Sequence, residues 1–199
     1  MSNEGLRLKK KIATRQALAE VAFQLALECG VEGFVIEDVV KRAGYSRRTF
    51  ANHYSCKEEA IASSLTMSDF PIEPDFESEG LTPLSTIEFF IKRSFTINKL
   101  NRLYELLALS KHSPTLKLYV IGALKEIQDF ARQRISEEFG DNYSSEYYYL
   151  LIGAVFGALM PVLDGSIDVR LPEESEHQEI QDFEAYMNVV FSKLREGFK

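Results

Sequence analysis

Cysteine is scarce in this chain: Cys29 and Cys56 are the only two, and they form no Cys-x-x-Cys pair. That argues against a disulfide framework and against a structural zinc site. Breakers are also few. Eleven glycines and six prolines are a small complement for 199 residues, because an average chain carries roughly 12% of the two together. Long regular elements are therefore expected. A typical membrane span needs about 20 apolar residues. The longest uncharged stretch, 17 residues between Glu146 and Asp164, contains Pro161 and is flanked by acids. It is expected to be a buried helix of a soluble protein, and the N-terminus shows no apolar segment of a signal peptide. A cytoplasmic location follows as the expectation. A Gly-rich phosphate loop and a nucleophile elbow are lacking, no metal cluster is apparent, and His53, His112 and His177 lie far apart in sequence. An enzyme is not expected, and no cofactor or metal is called for.

What is present is ample material for a core: 45% hydrophobic residues beside 27% charged ones, close to a globular average. The net charge of −7 argues at first against a nucleic-acid partner. The charge is uneven, however. Residues 1–60 hold ten Lys/Arg against eight Asp/Glu, a net of +2, whereas residues 61–199 carry −9. A mildly basic head precedes a strongly acidic body.

The periodicity is helical almost throughout, and the fold class is read as all-α. Leu18, Val21, Ala22, Leu25, Ala26 and Cys29 follow the spacing of one buried helix face. Thr14 reads as the N-cap of that helix, Gly30 as its C′ residue, and Cys29 as a small buried hydrophobe. A short helix with Ile36, Val39, Val40 and Ala43 ends at Gly44, and a third begins after Ser46. Ser55 with Glu58 has capping-box spacing and opens a fourth helix to about Met67. Residues 69–82, with Pro71 and Pro74, read as a linker. Beyond it, helices are expected over residues 84–110 (with Phe95 on its apolar face), 114–139, 144–163 and 175–197. Ser113-Pro114 is a strong restart signal, and Gly140 a stop.

The informative passage is residues 34–61. One short helix ends at Ala43, and Gly44 supplies the positive φ of a sharp turn. Ser46 then caps a second short helix that opens with Arg47, Arg48 and Thr49, while Phe50 points back to the core. This is a helix-turn-helix pattern, in which the first residues of the second helix face base edges in the major groove. Arginine suits guanine O6 and N7, and threonine bonds either way or touches a thymine methyl. The run Ser46-Arg47-Arg48-Thr49-Phe50, then Asn52-His53-Tyr54, then Lys57-Glu58-Glu59-Ala60 resembles the DNA-binding domain of the TetR family of bacterial transcriptional regulators, in the subgroup with a Ser-Arg-Arg-Thr-Phe recognition helix. The motif-level resemblance covers about residues 12–62.

The resemblance implies a helix-turn-helix DNA-binding domain in residues 1–60 and a helical ligand-binding and dimerisation domain in residues 61–199. It implies that Arg47, Arg48 and Thr49 read bases beside Ser46, and that Asn52 and His53 touch backbone or bases. Lys57 then matches a phosphate-contacting lysine, and Thr14 and Arg15 make further backbone contacts. Lys9–Lys11 reads equally as a minor-groove arm or a solvated tail. Val35 stands where the family usually has Thr or Ser, so one cap and one phosphate contact are lost. Tyr45 and Cys56 are two further departures. Cys56, beside Lys57, is also weighed as a redox sensor, and chiefly as an ordinary residue.

In the body, Gly153, Ala154, Gly157 and Ala158 permit close approach of a second helix. By analogy with the family's four-helix dimer interface, Gly153, Phe156, Gly157, Met187, Val190 and Phe191 are expected to bury against a second protomer. The aromatic residues Phe90, Tyr104, Tyr119, Phe130 and Tyr148 are expected to line an effector cavity. The expected function is a homodimeric repressor that binds palindromic double-stranded DNA and is released by an unidentified small molecule. The alternative is a helical protein-interaction module without sequence-specific DNA binding.

Overall fold

A computed structural model describes residues 3–65, 80–94, 97–167, 169 and 180–197. The described residues are all-α, as the periodicity predicts, with no strand among them. The chain divides into two compact units. One takes in Met1–Thr66 with Glu105–Ala123, the other Met67–Tyr104 with Leu124–Lys199. The predicted linker over residues 69–82 lies largely outside the described residues.

In the first unit, α1 spans Asn3–Cys29. It starts eleven residues before Thr14, which is therefore an interior helix residue and not an N-cap. The sequence from Asn3 to Ala13 holds Leu, Arg, Lys and Glu, all good helix formers, so nothing stops the helix from extending past the buried stripe. The Lys9–Lys11 run is consequently helical and exposed. Helix α1 packs against α4 (Lys57–Ala62) and α2 (Ile36–Ala43). Its Leu18, Ala19, Ala22, Phe23 and Ala26 meet a core that also holds Phe34, Val39, Val40, Phe50, Tyr54, Ala60 and Ile61. Burying each large apolar side chain contributes about 1.5–3 kcal/mol. Cys29 is exposed, contrary to expectation, and its thiol donates to the Leu25 carbonyl at 3.1 Å.

The second unit holds α5 (Pro83–Ser94), α8 (Ser145–Leu163) and α9 (Ile180–Glu196). The division between the units falls inside α6 (Ile97–Ser110) and α7 (Pro114–Phe139). The single helix expected over residues 84–110 is described as two, α5 and α6, and Phe95 lies outside the described residues. Where signals were strong, boundaries agree. The Ser113 Oγ accepts the Leu116 N–H at 3.3 Å, and Pro114 opens α7. Gly140 follows α7 with φ 54°, and the Ser144 Oγ accepts the Tyr147 N–H at 3.3 Å.

Helix α9 packs on α5 and α8. Glu88 of α5 pairs with Arg195 of α9 and, at 3.0 Å, with Lys92. Pro161 interrupts the α8 ladder, and nearby the Tyr186 hydroxyl of α9 donates to the Ala158 carbonyl at 2.7 Å. Among the described residues, α8 is long and apolar enough by length and composition to cross a membrane. Its buried residues Tyr148, Leu151, Ile152, Val155, Leu159 and Val162 follow helical spacing along one face.

Candidate functional site

The most informative surface is built on α2, the turn after it, and α3 (Arg47–Ala51). Val35 stands at the N-cap of α2 without a capping side chain, and Asp38 accepts the Val35 N–H at 2.9 Å in its place. At the other end Gly44 sits in the left-handed region (φ 75°, ψ 27°), and the Tyr45 N–H returns to the Val40 carbonyl at 2.9 Å. This 6→1 closure is the Schellman stop, which glycine permits without steric cost. Ser46 is extended, and its Oγ accepts the Thr49 N–H at 3.1 Å. The Thr49 hydroxyl lies 2.9 Å from the same Oγ, so it is engaged in the cap.

With the start of α3 fixed in this way, Phe50 points into the core beside Tyr54, ring centres 5.6 Å apart. Arg47 and Arg48 point outward and are exposed, as is Asn52 at the C-cap. The Tyr54 hydroxyl donates to the Arg15 carbonyl at 2.9 Å, and the Arg15 guanidinium lies 4.9 Å from the centre of the Tyr54 ring. Burial pushes the Tyr54 phenol up, so it stays a neutral donor. These contacts tie α1 to the segment that follows α3.

Arg47 and Lys57 are already partnered. Arg47 Nη1 lies 2.7 Å from Glu37 Oε1, with the side chains 75% and 54% exposed. The Lys57 ammonium donates to the Phe34 carbonyl at 2.8 Å. The Arg48 guanidinium has no partner among the described residues. His53 is half-buried. Its pKa is held below the usual value by burial first, then by the charges of Lys11 and Arg15, which favours the neutral ring near pH 7.

The cap of α4 corrects the expectation of a Ser55–Glu58 box. Cys56 is the N-cap, and its Sγ accepts the Glu59 N–H at 3.4 Å. Ser55 precedes it and gives both its N–H and its hydroxyl to Glu59 Oε2, each at 2.7 Å. The Ser55 Oγ also lies 3.1 Å from the Tyr119 hydroxyl. Among the described residues, no group of three or more His, Cys, Asp or Glu is placed to hold a metal ion.

The five aromatic residues expected around an effector do not share one unit. Tyr119 belongs to the first, whereas Phe90, Tyr104, Phe130 and Tyr148 belong to the second. Tyr148 is buried with its hydroxyl donating to the Gly140 carbonyl at 2.9 Å, and Tyr104 is exposed. Of the expected dimer residues, Gly157 is exposed, and Gly153, Phe156 and Val190 are half-buried. Open space surrounds Gly153 and Gly157 where a Cβ would stand. Met187 and Phe191, also expected there, are 1% and 0% exposed and thus buried within the chain's own fold. Leu150 of α8 (73% exposed) and Val189 of α9 (59% exposed) are apolar residues turned outward. Sequence spacing could have suggested them, since Leu150 lies three residues before Gly153. The Glu37, Phe34 and Tyr119 partners leave no local signal, because each contact is made across the fold.

The surface offers guanidinium donors and a side-chain amide on a rigid, capped segment, which suits acceptor-rich or anionic partners. The chain matches no protein-family model and no curated protein.

Proposed function

We propose that this protein is a sequence-specific DNA-binding regulator of the TetR type, and that α2 and α3 are its helix-turn-helix. The observation that carries this is the pair of stops around the turn. Gly44 closes α2 and Ser46 caps α3, so that Phe50 is buried while Arg47 and Arg48 leave the surface together at the start of the second helix. In this motif those are the positions that meet base edges. Arg47 and Arg48 read guanine, Asn52 contributes a base or backbone contact, and the Thr49 hydroxyl acts chiefly in the cap. Thr14, Arg15, Lys57 and neutral His53 steady the head and supply backbone contacts.

A head of this size reads few base pairs, so the regulator works as a homodimer on a palindromic operator. Leu150, Gly153, Gly157, Val189 and Val190 form the self-complementary face on α8 and α9. In this reading α8 is a dimerisation helix of a cytoplasmic protein. A small molecule that prefers the non-binding arrangement of the two heads lowers operator affinity by its differential affinity for the two states, and repression is relieved.

The test is selection of bound duplexes from a random library, followed by titration of wild type and of Arg47→Ala/Arg48→Ala on the selected sequence. Wild type is expected to enrich a palindrome, and the double variant to lose the preference. Each bidentate arginine contact is worth about 1–3 kcal/mol. The rival, a helical interaction module, has in its favour the exposed Leu118 and Ile121 of α7. Enrichment of no sequence by wild type would favour it.

A further inference from the structure

We propose that Glu37 is a specificity-determining residue: its carboxylate holds Arg47 in a reading posture and penalises DNA that does not offer Arg47 a matching base. The inference rests on the DNA-binding function proposed above and adds a residue that the recognition-helix pattern does not contain. Glu37 lies in the first turn of α2 and Arg47 opens α3, so the ion pair spans the turn between the two helices. The pair brings little to the fold. Both side chains are more than half exposed, and solvent screening leaves such pairs little net stabilisation. Its effect is directional. Arg47 engages Glu37 through Nη1, which leaves the Nε–Nη2 edge of the guanidinium unengaged among the described residues. A guanidinium is a planar fork with five donors, and a second edge can bond guanine O6 and N7 while the first stays paired.

The same carboxylate acts against the wrong DNA. In a helix-turn-helix the first helix crosses the phosphate backbone. A carboxylate there repels phosphate, and by pairing with Arg47 it withholds a cation that would otherwise bind any phosphate. Non-specific affinity is set by such cation–phosphate contacts. Arg48, with no carboxylate partner among the described residues, is not restrained in this way. Specificity is a difference of affinities, and Glu37 widens it by weakening the unwanted member. Glu37 is thus a positioning residue for Arg47, and its own contact with DNA is repulsive.

The experiment uses the full chain and compares wild type, Glu37→Gln, Arg47→Ala and the double variant. The probes are the duplex selected by wild type and a scrambled duplex of equal length, across a salt series. Glu37→Gln is expected to bind the scrambled duplex about tenfold more tightly, with a steeper salt dependence, and to lose about tenfold in the ratio of specific to non-specific affinity. In the Arg47→Ala background the same change is expected to move the ratio less than twofold, because its target is gone. A merely structural role would shift both affinities alike and leave the ratio intact, and that outcome would overturn the proposal. An equal effect of Glu37→Gln with and without Arg47 would overturn it too. If wild type shows no preference for any duplex, the function on which the proposal rests is wrong, and the proposal falls with it.

Discussion

The Lys57 ammonium donates to the Phe34 carbonyl oxygen at 2.8 Å and lies 5.0 Å from the centre of the Phe34 ring. A lysine expected from the family resemblance to grip phosphate is therefore also a strut between the end of the α1–α2 connection and the start of α4. An ammonium has three donors, so the internal bond leaves capacity for a phosphate oxygen. Lys57→Met retains the apolar stem and removes both interactions. It is expected to destabilise the protein by about 1–2 kcal/mol, combining a charge-assisted bond with a partly exposed cation–π contact. Urea denaturation of the full chain measures this. On DNA the variant is expected to weaken all sequences alike and to reduce the salt slope by about 1. Unchanged stability would show the Phe34 contact to be inconsequential.

Gly44 isolates the conformational cost of the turn. Nothing lies within 4 Å of the place where its Cβ would stand, while φ is 75°. Gly44→Ala is therefore expected to cost about 1 kcal/mol from backbone strain alone. Gly44→Asn is expected to cost less, because asparagine tolerates the left-handed region. Thermal denaturation of the two variants side by side checks the order. A larger loss for Asn than for Ala would mean that the turn is crowded in solution.

Elements bounded by strong local chemistry were legible in the sequence. Ser46, Ser113-Pro114, Gly140 and Ser144 act within three or four residues, and each marks its boundary in the structure as expected. The start of α1 was not legible. Residues 3–13 have good helix propensity but no buried stripe to announce them, and Thr14 imitates a cap. The cap of α4 was misplaced by one residue because cysteine is an unusual acceptor there, and the serine before it fits the consensus better. At the candidate site, the outward direction of Arg47 and Arg48 follows from the Ser46 cap and the buried Phe50, all close in sequence. The partner Glu37 is set by how α2 meets α3, and Phe34 by how the segment before α2 meets the start of α4, and no spacing encodes that. On α9, Met187 and Phe191 lie one turn apart on the apolar stripe. A stripe alone does not say whether it faces its own core or a second protomer.

His53 gives the head a defined pH response. Its folded-state pKa lies below the unfolded value near 6.5, from burial first and then from Lys11 and Arg15. The unfolded chain therefore binds the proton more readily. The stability associated with neutral His53 is fully present above about pH 6.5. It is lost as pH falls through the depressed folded value, and the loss levels off below it. His53→Gln is expected to flatten this part of the stability profile, measured by urea denaturation between pH 7.5 and about pH 5. An unchanged profile would assign the acid sensitivity to the carboxylates.

The proposed dimer can be tested at two residues with opposite surroundings. Leu150 of α8 is 73% exposed, whereas Met187 of α9 is 1% exposed. Leu150→Glu places a charge on the outward face without disturbing the core of the protomer. It is expected to retain the helical circular dichroism spectrum and to halve the mass seen by analytical ultracentrifugation at micromolar concentration, because a charge cannot be buried against its own symmetry mate without a partner. Met187→Glu puts the same charge inside the protomer and is expected to unfold it rather than split a dimer. The wild-type melting temperature should rise with protein concentration, as mass action requires of an assembly that binds only the folded state. A wild type that sediments as a monomer at every concentration would remove the homodimer from the proposed function. The Leu150–Val189 face would then need a different partner.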